Sequence, residues 1–161
     1  MRTRLSLTWT LVIGVLAVPT VPLLSARASE APAQPTYIAG DRTQAAFATG
    51  APLVETAAYK VHASRREAPG LAEIHTLDTD IIYVLEGGAT VVTGGKAVKP
   101  VEVAPNEIRG TSIEGGTTRR LAKGDVFIVP NGLPHWFRDV QAPFLYYVVK
   151  TTAPSTAGGA E

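Results

Sequence analysis

Apolar residues in the body of this chain come in short runs: Val54 to Ser64, Ile81 to Leu85, Thr90 to Thr93, Val126 to Val129 and Phe144 to Val149. These runs are rich in Val, Ile, Tyr and Phe and are bounded by Gly, Pro or Asp. Such segments read as β-strands, whose side chains point alternately to opposite faces. No window with a helical repeat long enough to matter follows the N-terminal apolar stretch. Regular short strands with Gly and Pro punctuation predict an all-β sandwich or barrel of antiparallel strands. Segment 94–116 is less regular, with Pro100, Pro105 and Asn106 among Glu102, Glu107, Arg109 and Glu114. It reads as a long surface excursion between strands, with a substrate-selecting lid as the functional alternative.

The two ends follow other patterns. Arg2 and Arg4 precede the apolar stretch Leu11 to Leu24, and Ala26-Arg27-Ala28 follows as a small-x-small site. This three-part pattern predicts a secretory signal peptide over 1–28 and an exported, periplasmic or extracellular protein. Pro19 and Pro22 interrupt the apolar stretch, which is shorter than a membrane span needs, so no stable membrane anchor is expected after cleavage. Segment 29–50, rich in Ala and Pro at its start, reads as a linker or N-terminal arm, and 151–161 as a flexible tail. The remaining 51–150 has the size of one domain.

Composition narrows the function classes. The formal net charge of the whole chain is +1, and cleavage would remove Arg2, Arg4 and Arg27, leaving a slightly acidic protein without the basic footprint of a nucleic-acid binder. With 0 Cys, neither disulfides nor thiolate metal sites are available.

The candidate chemistry sits in two clusters, EIHTLDTDIIYVLEGG at 73–88 and GDVFIVPNGLPHWF at 124–137. In a strand, Glu73 and His75 share a face, and a tight connection through Thr76 to Thr79 returns Asp80 beside them on the next strand. The chain here resembles the cupin family, whose second motif reads Gly-x5-Pro-x-Gly-x2-His-x3-Asn. Gly124, Pro130, Gly132 and His135 fall at that spacing, with Asp139 in place of Asn. The first motif reads Gly-x5-His-x-His-x3-4-Glu-x6-Gly. His75 stands for its second His, Asp80 for its Glu and Gly87 for its last Gly, while Glu73 replaces the first His. Gly70 lies closer to this pair than the pattern asks, which predicts a shortened or bent entering strand. The resemblance spans Val54 to Val149.

The resemblance implies a single-domain cupin β-barrel, a jelly-roll-like double-stranded β-helix, and a metal held by Glu73, His75, Asp80 and His135. Two imidazoles with carboxylates suit a divalent transition metal (Mn, Fe, Ni or Zn). Two adjacent carboxylates both stay ionised more readily beside a cation than without one. His62 and Glu73 are candidates for moving a proton, with a solvent-facing strand residue as the alternative for His62. Tyr83, Trp136 and Phe137 are candidate pocket walls or core, and of Arg119 and Arg120 one is expected to face inward; Arg120 is taken as the pocket cation. The expected function is a metal-dependent oxygenase, isomerase or lyase acting on a small polar molecule such as a sugar, keto acid or phenolic. The alternatives are a non-catalytic small-ligand binder and a metal-free structural barrel. A homodimer is implied by the resemblance alone.

Overall fold

The computed structural model describes residues 34–153. The predicted signal peptide and most of the predicted tail lie outside them.

The first element is a helix, α1 (Gly40–Thr49), inside the segment read as a linker. Its core TQAAFA is built of adequate helix formers, Asp41 lies in the first turn, and Gly50 closes the helix at φ 72 with its N–H donated to the Ala46 carbonyl. None of its residues is fully buried and no side chain caps its start, so the helix carries little of the apolar periodicity by which helices are recognised. Tertiary packing holds it: the Phe47 ring meets the edge of Tyr147 with centroids 4.9 Å apart.

Eleven strands follow: β1 (Ala51–Glu55), β2 (Tyr59–Arg66), β3 (Ala72–His75), β4 (Asp78–Thr93), β5 (Lys96–Val98), β6 (Val101–Ala104), β7 (Glu107–Gly110), β8 (Ser112–Glu114), β9 (Thr117–Ala122), β10 (Val126–Val129) and β11 (His135–Thr152). All pairings are antiparallel. The main sheet runs β1-β2-β11-β3-β7-β6, and β4 joins it through β11 while also pairing β9 and β10; β5 and β8 form a separate pair. The predicted all-β barrel architecture stands. The run expected at 54–64 is split between β1 and β2, and those at 81–85 and 90–93 are one strand, β4. The excursion at 94–116 is itself folded into β5 to β8, which corrects its reading as an irregular surface insertion.

The core lies between the inward rows of β4, β9 and β11. Ile82, Val84, Val91, Leu121, Phe137, Phe144, Tyr146 and Val148 are buried together. The strict alternation of buried and exposed positions at the start of β4, from Asp78 to Val84, shows the period that selects this face. Gly87 sits in the bend at φ 70, where a Cβ would collide with the Pro143 and Gln141 carbonyl oxygens, so only glycine fits.

Candidate functional site

Sheet register builds the polar centre. Directly opposed residues of antiparallel neighbours share a face, and three such pairs converge: Glu73 opposite His135, His75 opposite Glu107, and Asp80 opposite Lys150. β11 therefore leaves the site at His135, crosses the core, and returns to it at Lys150. Both of its ends reach Asp80, whose Oδ2 lies 3.9 Å from His135 Nε2 and 2.9 Å from Lys150 Nζ.

Backbone bonds fix the turns between these pairs. Gly132, at φ 76, donates its N–H to the His75 carbonyl at 2.7 Å, tying the turn before His135 to the end of β3. The Asn131 amide donates to the Thr76 carbonyl at 3.2 Å, and Asn106 Oδ1 accepts from the Thr76 hydroxyl and the Leu77 N–H. The loops at 76–77, 105–106 and 130–134 thus hold one another.

The two imidazoles are buried, with ring centroids 5.2 Å apart. His75 Nδ1 lies 2.7 Å from Glu107 Oε2, and His135 Nδ1 lies 3.3 Å from the Leu133 carbonyl. An acceptor on each Nδ1 holds the proton there and turns each Nε2 toward the cavity. Glu73 Oε2 stands 3.9 Å from His75 Nε2 and 3.8 Å from His135 Nε2. Glu73, His75 and His135 each offer one donor atom, all within 4.8 Å of one another. Two imidazole nitrogens and a carboxylate oxygen, with both rings oriented from behind, form a donor set that fits a divalent transition metal.

Asp80 has another partner. Lys150 Nζ lies 2.7 and 2.9 Å from its two oxygens and 2.8 Å from His75 Nε2. When His75 is neutral, the Lys150 ammonium donates and the Nε2 lone pair accepts; once the ring is protonated, that side offers no acceptor. Glu73 belongs to the converging donor group, and Asp80 Oδ2 stands as near to both rings, 3.5 Å from His75 Nε2 and 3.9 Å from His135 Nε2, while paired with Lys150.

Electrostatics follow from these neighbours. Burial opposes charge on His75, but Asp80 and Glu107 outweigh both that and the Lys150 ammonium, and its pKa rises to about 9. Burial also opposes charge on Asp80, yet His75 and Lys150 bring its pKa down to about 2. His135 is pushed below the ordinary imidazole range, first by burial, and stays neutral with a free lone pair.

The donors face a cavity of about 280 Å³. Its floor is apolar, with Ile82, Phe137 and Val148, and its rim carries His62, Ser64, Arg66 and Arg109. The Arg66 guanidinium lies 4.7 Å from the centre of the Phe137 ring, its Nε donates to the Tyr146 hydroxyl at 2.9 Å, and its Nη2 reaches Glu73 at 3.6 Å.

Of the expected wall residues only Phe137 lines this cavity. Tyr83 has the opposite parity to Asp80 on β4, so it points outward and is 46% exposed. Trp136 is turned away from His135 in the same manner, its Nε1 donating to the Gly70 carbonyl at 2.8 Å. Arg119 and Arg120 are both exposed, and Arg120 is bonded to Gln141, so the pocket cations are Arg66, Arg109 and Lys150 instead. His62 does line the cavity and pairs with Glu55 at 2.8 Å. Period two could have found Lys150, which shares the parity of Phe144, Tyr146 and Val148. It could equally have found Arg66, which shares that of His62 and Ser64. Glu107 carried no such signal, because its place depends on how β7 meets β3.

Comparison with known families places the chain in a class defined by this barrel and its inward polar cluster. The family model described as Cupin matches residues 32–160, and the chain belongs to the cupin family. A search of curated proteins gives no match. Among solved structures, a Bacillus halodurans protein is similar over 79% of this chain and 86% of its own, with 15% identity and a TM-score of 0.53. A Neisseria meningitidis protein matches over 73% of this chain and 100% of its own, with 12% identity and a TM-score of 0.50. Hydroquinone 1,2-dioxygenase PnpCD, crystallised with Cd2+ and 4-hydroxybenzonitrile, matches over 76% of this chain and 82% of its own, with 16% identity and a TM-score of 0.50. At these identities the likeness is one of fold.

Proposed function

We propose that this protein is an exported, metal-dependent cupin enzyme that acts on a small polar molecule in the cavity above Glu73, His75 and His135. The observation that carries the reading is the convergence of those three donors within 4.8 Å, each ring having an acceptor behind it. Such preorganised imidazole and carboxylate sets leave coordination positions open for a substrate. A bound divalent ion would supply Lewis-acid or oxygen chemistry. The chain's own residues do the rest. His62 and Ser64 at the rim offer hydrogen bonds to hydroxyl or carbonyl groups, Arg66 and Arg109 attract negative charge, and Phe137 with Ile82 and Val148 forms an apolar base. Oxygenase, isomerase and lyase chemistry are all compatible with these roles. Export rests on the N-terminal pattern of Arg2, Arg4, Leu11 to Leu24 and Ala26-Arg27-Ala28.

The experiment is elemental analysis of the natively purified protein, with oxygen uptake measured on the iron-loaded form. The reading expects about one divalent ion per chain, as one donor set provides, and loss of that ion in His75→Ala/His135→Ala. Full occupancy in the double variant would end it. One contact favours a second reading, a metal-free small-ligand binder: Lys150 Nζ already stands 2.8 Å from His75 Nε2. Tight binding of a small ligand by metal-free protein, without turnover, would support that reading.

A further inference from the structure

The cavity holds its own counter-ions. Glu73 faces Arg66 at 3.6 Å, Asp80 faces Lys150 at 2.7 Å, and Glu107 faces Arg109 at 3.0 Å. With both imidazoles neutral, the only form that can ligate a metal, the three carboxylates and three cations balance. Lys150 differs from the two arginines, because its ammonium lies 2.8 Å from the very nitrogen, His75 Nε2, that the donor set would turn toward a metal. One lone pair cannot serve an N–H donor and a metal ion together.

We propose that Lys150 is a built-in competitor for the metal, and that the loaded centre therefore takes a small carboxylate as its ligand. This rests on the metal reading above. Asp80 is then a positioning residue that keeps the ammonium in the cavity when it leaves His75, rather than a metal ligand. A divalent ion added to a balanced set of charges leaves two positive charges uncompensated in a half-enclosed site, where Coulomb energies exceed their values in water. A neutral sugar does not relieve that excess. An anionic oxygen donor does, and Lys150, Arg66 and Arg109 stand around the space it would fill. The apolar base limits the rest of the ligand to a short organic chain or ring.

The test uses metal-free full-length protein titrated with Co2+ against a chromophoric chelator, with pyruvate as the anionic probe and pyruvamide as its uncharged counterpart. Lys150→Met binds Co2+ at least about tenfold more tightly than wild type, because a close positive charge has gone. Pyruvate strengthens Co2+ binding by the wild type, pyruvamide does not, and Lys150→Met loses most of that gain. Since Lys150→Met leaves Asp80 without its cation, Asp80→Asn/Lys150→Met removes both charges and keeps the fold testable; it still binds Co2+ at least as tightly as wild type. Equal Co2+ affinity in wild type and Lys150→Met, loss of Co2+ binding in the double variant, or equal effects of the two probes would each overturn the inference while the metal site stood. Absence of Co2+ binding in every form would instead remove the metal reading, and this inference with it.

Discussion

β11 passes through two unlike environments, and its middle and its ends obey different rules. In the middle, Phe137, Phe144 and Tyr146 stack with centroids 4.8 to 5.6 Å apart against Val84, Val91 and Leu121. At its ends, His135 and Lys150 join Glu73, His75, Asp80 and Glu107. The middle is close to what burial alone would choose. The ends are not, since apolar residues of similar volume commonly match or exceed a buried ion pair in stability. A fold that uses one strand for both purposes keeps the charged cluster for what it binds, and draws its stability from the aromatic stretch.

The largest expected effect breaks the aromatic side of this contrast. Phe144 is 0% exposed and packs against Phe137 and Tyr146. Phe144→Ala should cost about 3–5 kcal/mol in chemical denaturation, through lost transfer energy and the cavity left behind. Divalent-ion affinity of the folded variant should hardly change. A loss below about 1 kcal/mol would mean that the stretch is not the main anchor.

The charged side should respond in a different way. Asp80→Asn leaves Lys150 facing His75 alone and should cost the metal-free protein about 3 kcal/mol, the low end for breaking a buried pair. Asp80→Leu/Lys150→Leu, which removes both charges, should return to within about 1 kcal/mol of wild type. A double variant as unstable as the single would show that the pair is structural after all, and the contrast would blur.

The same contrast explains what could be read from the sequence. Apolar alternation made the core strands legible, because burial selects every second side chain on its own. The motif spacing made His75 and His135 legible, and the close approach of their rings agrees with it. Tyr83 and Trp136 stand near motif residues in sequence but have the wrong parity relative to Asp80 or His135 to line the cavity; Trp136 packs against the core, the other reading open to it. Helix α1 escaped because its stability comes from Phe47 on Tyr147, a contact that no local pattern encodes. Glu107 escaped because the register between β3 and β7 sets it opposite His75. Lys150 was within reach of parity, but a lysine at the end of an apolar run reads as solvated.

A third test varies pH in the metal-free protein. Asp80 has a folded pKa of about 2, below its ordinary 3.8, so its contribution is present above about 4 and is lost as pH falls toward 2. His75 has a folded pKa of about 9, above its ordinary 6.5, so its contribution is complete below about 6.5 and disappears as pH rises through 9. Stability should therefore be greatest between about pH 4 and 6.5, with an acid limb of about 2 kcal/mol from Asp80. Melting curves across this range should show the acid limb weakened in Asp80→Asn and unchanged in Phe144→Ala. Equal acid limbs in all three proteins would assign the pH dependence to other groups.

The smallest effect probes the polar centre without touching either the core or the donors. Glu107 arrives on β7, from the segment whose sequence suggested a surface insertion, and its Oε2 holds the Nδ1 side of His75 at 2.7 Å. Glu107→Gln keeps the size of the side chain but removes the charge that makes the ring a better donor and fixes its tautomer. Such partners of ligating histidines are commonly worth tenfold to a hundredfold in metal affinity, and the low end, about 1.4 kcal/mol, is expected because Glu107 is shared with Arg109. Competition titration with Co2+ measures this directly. Unchanged affinity would mean that His75 is oriented by its strand alone, and that β7 covers the site without tuning it.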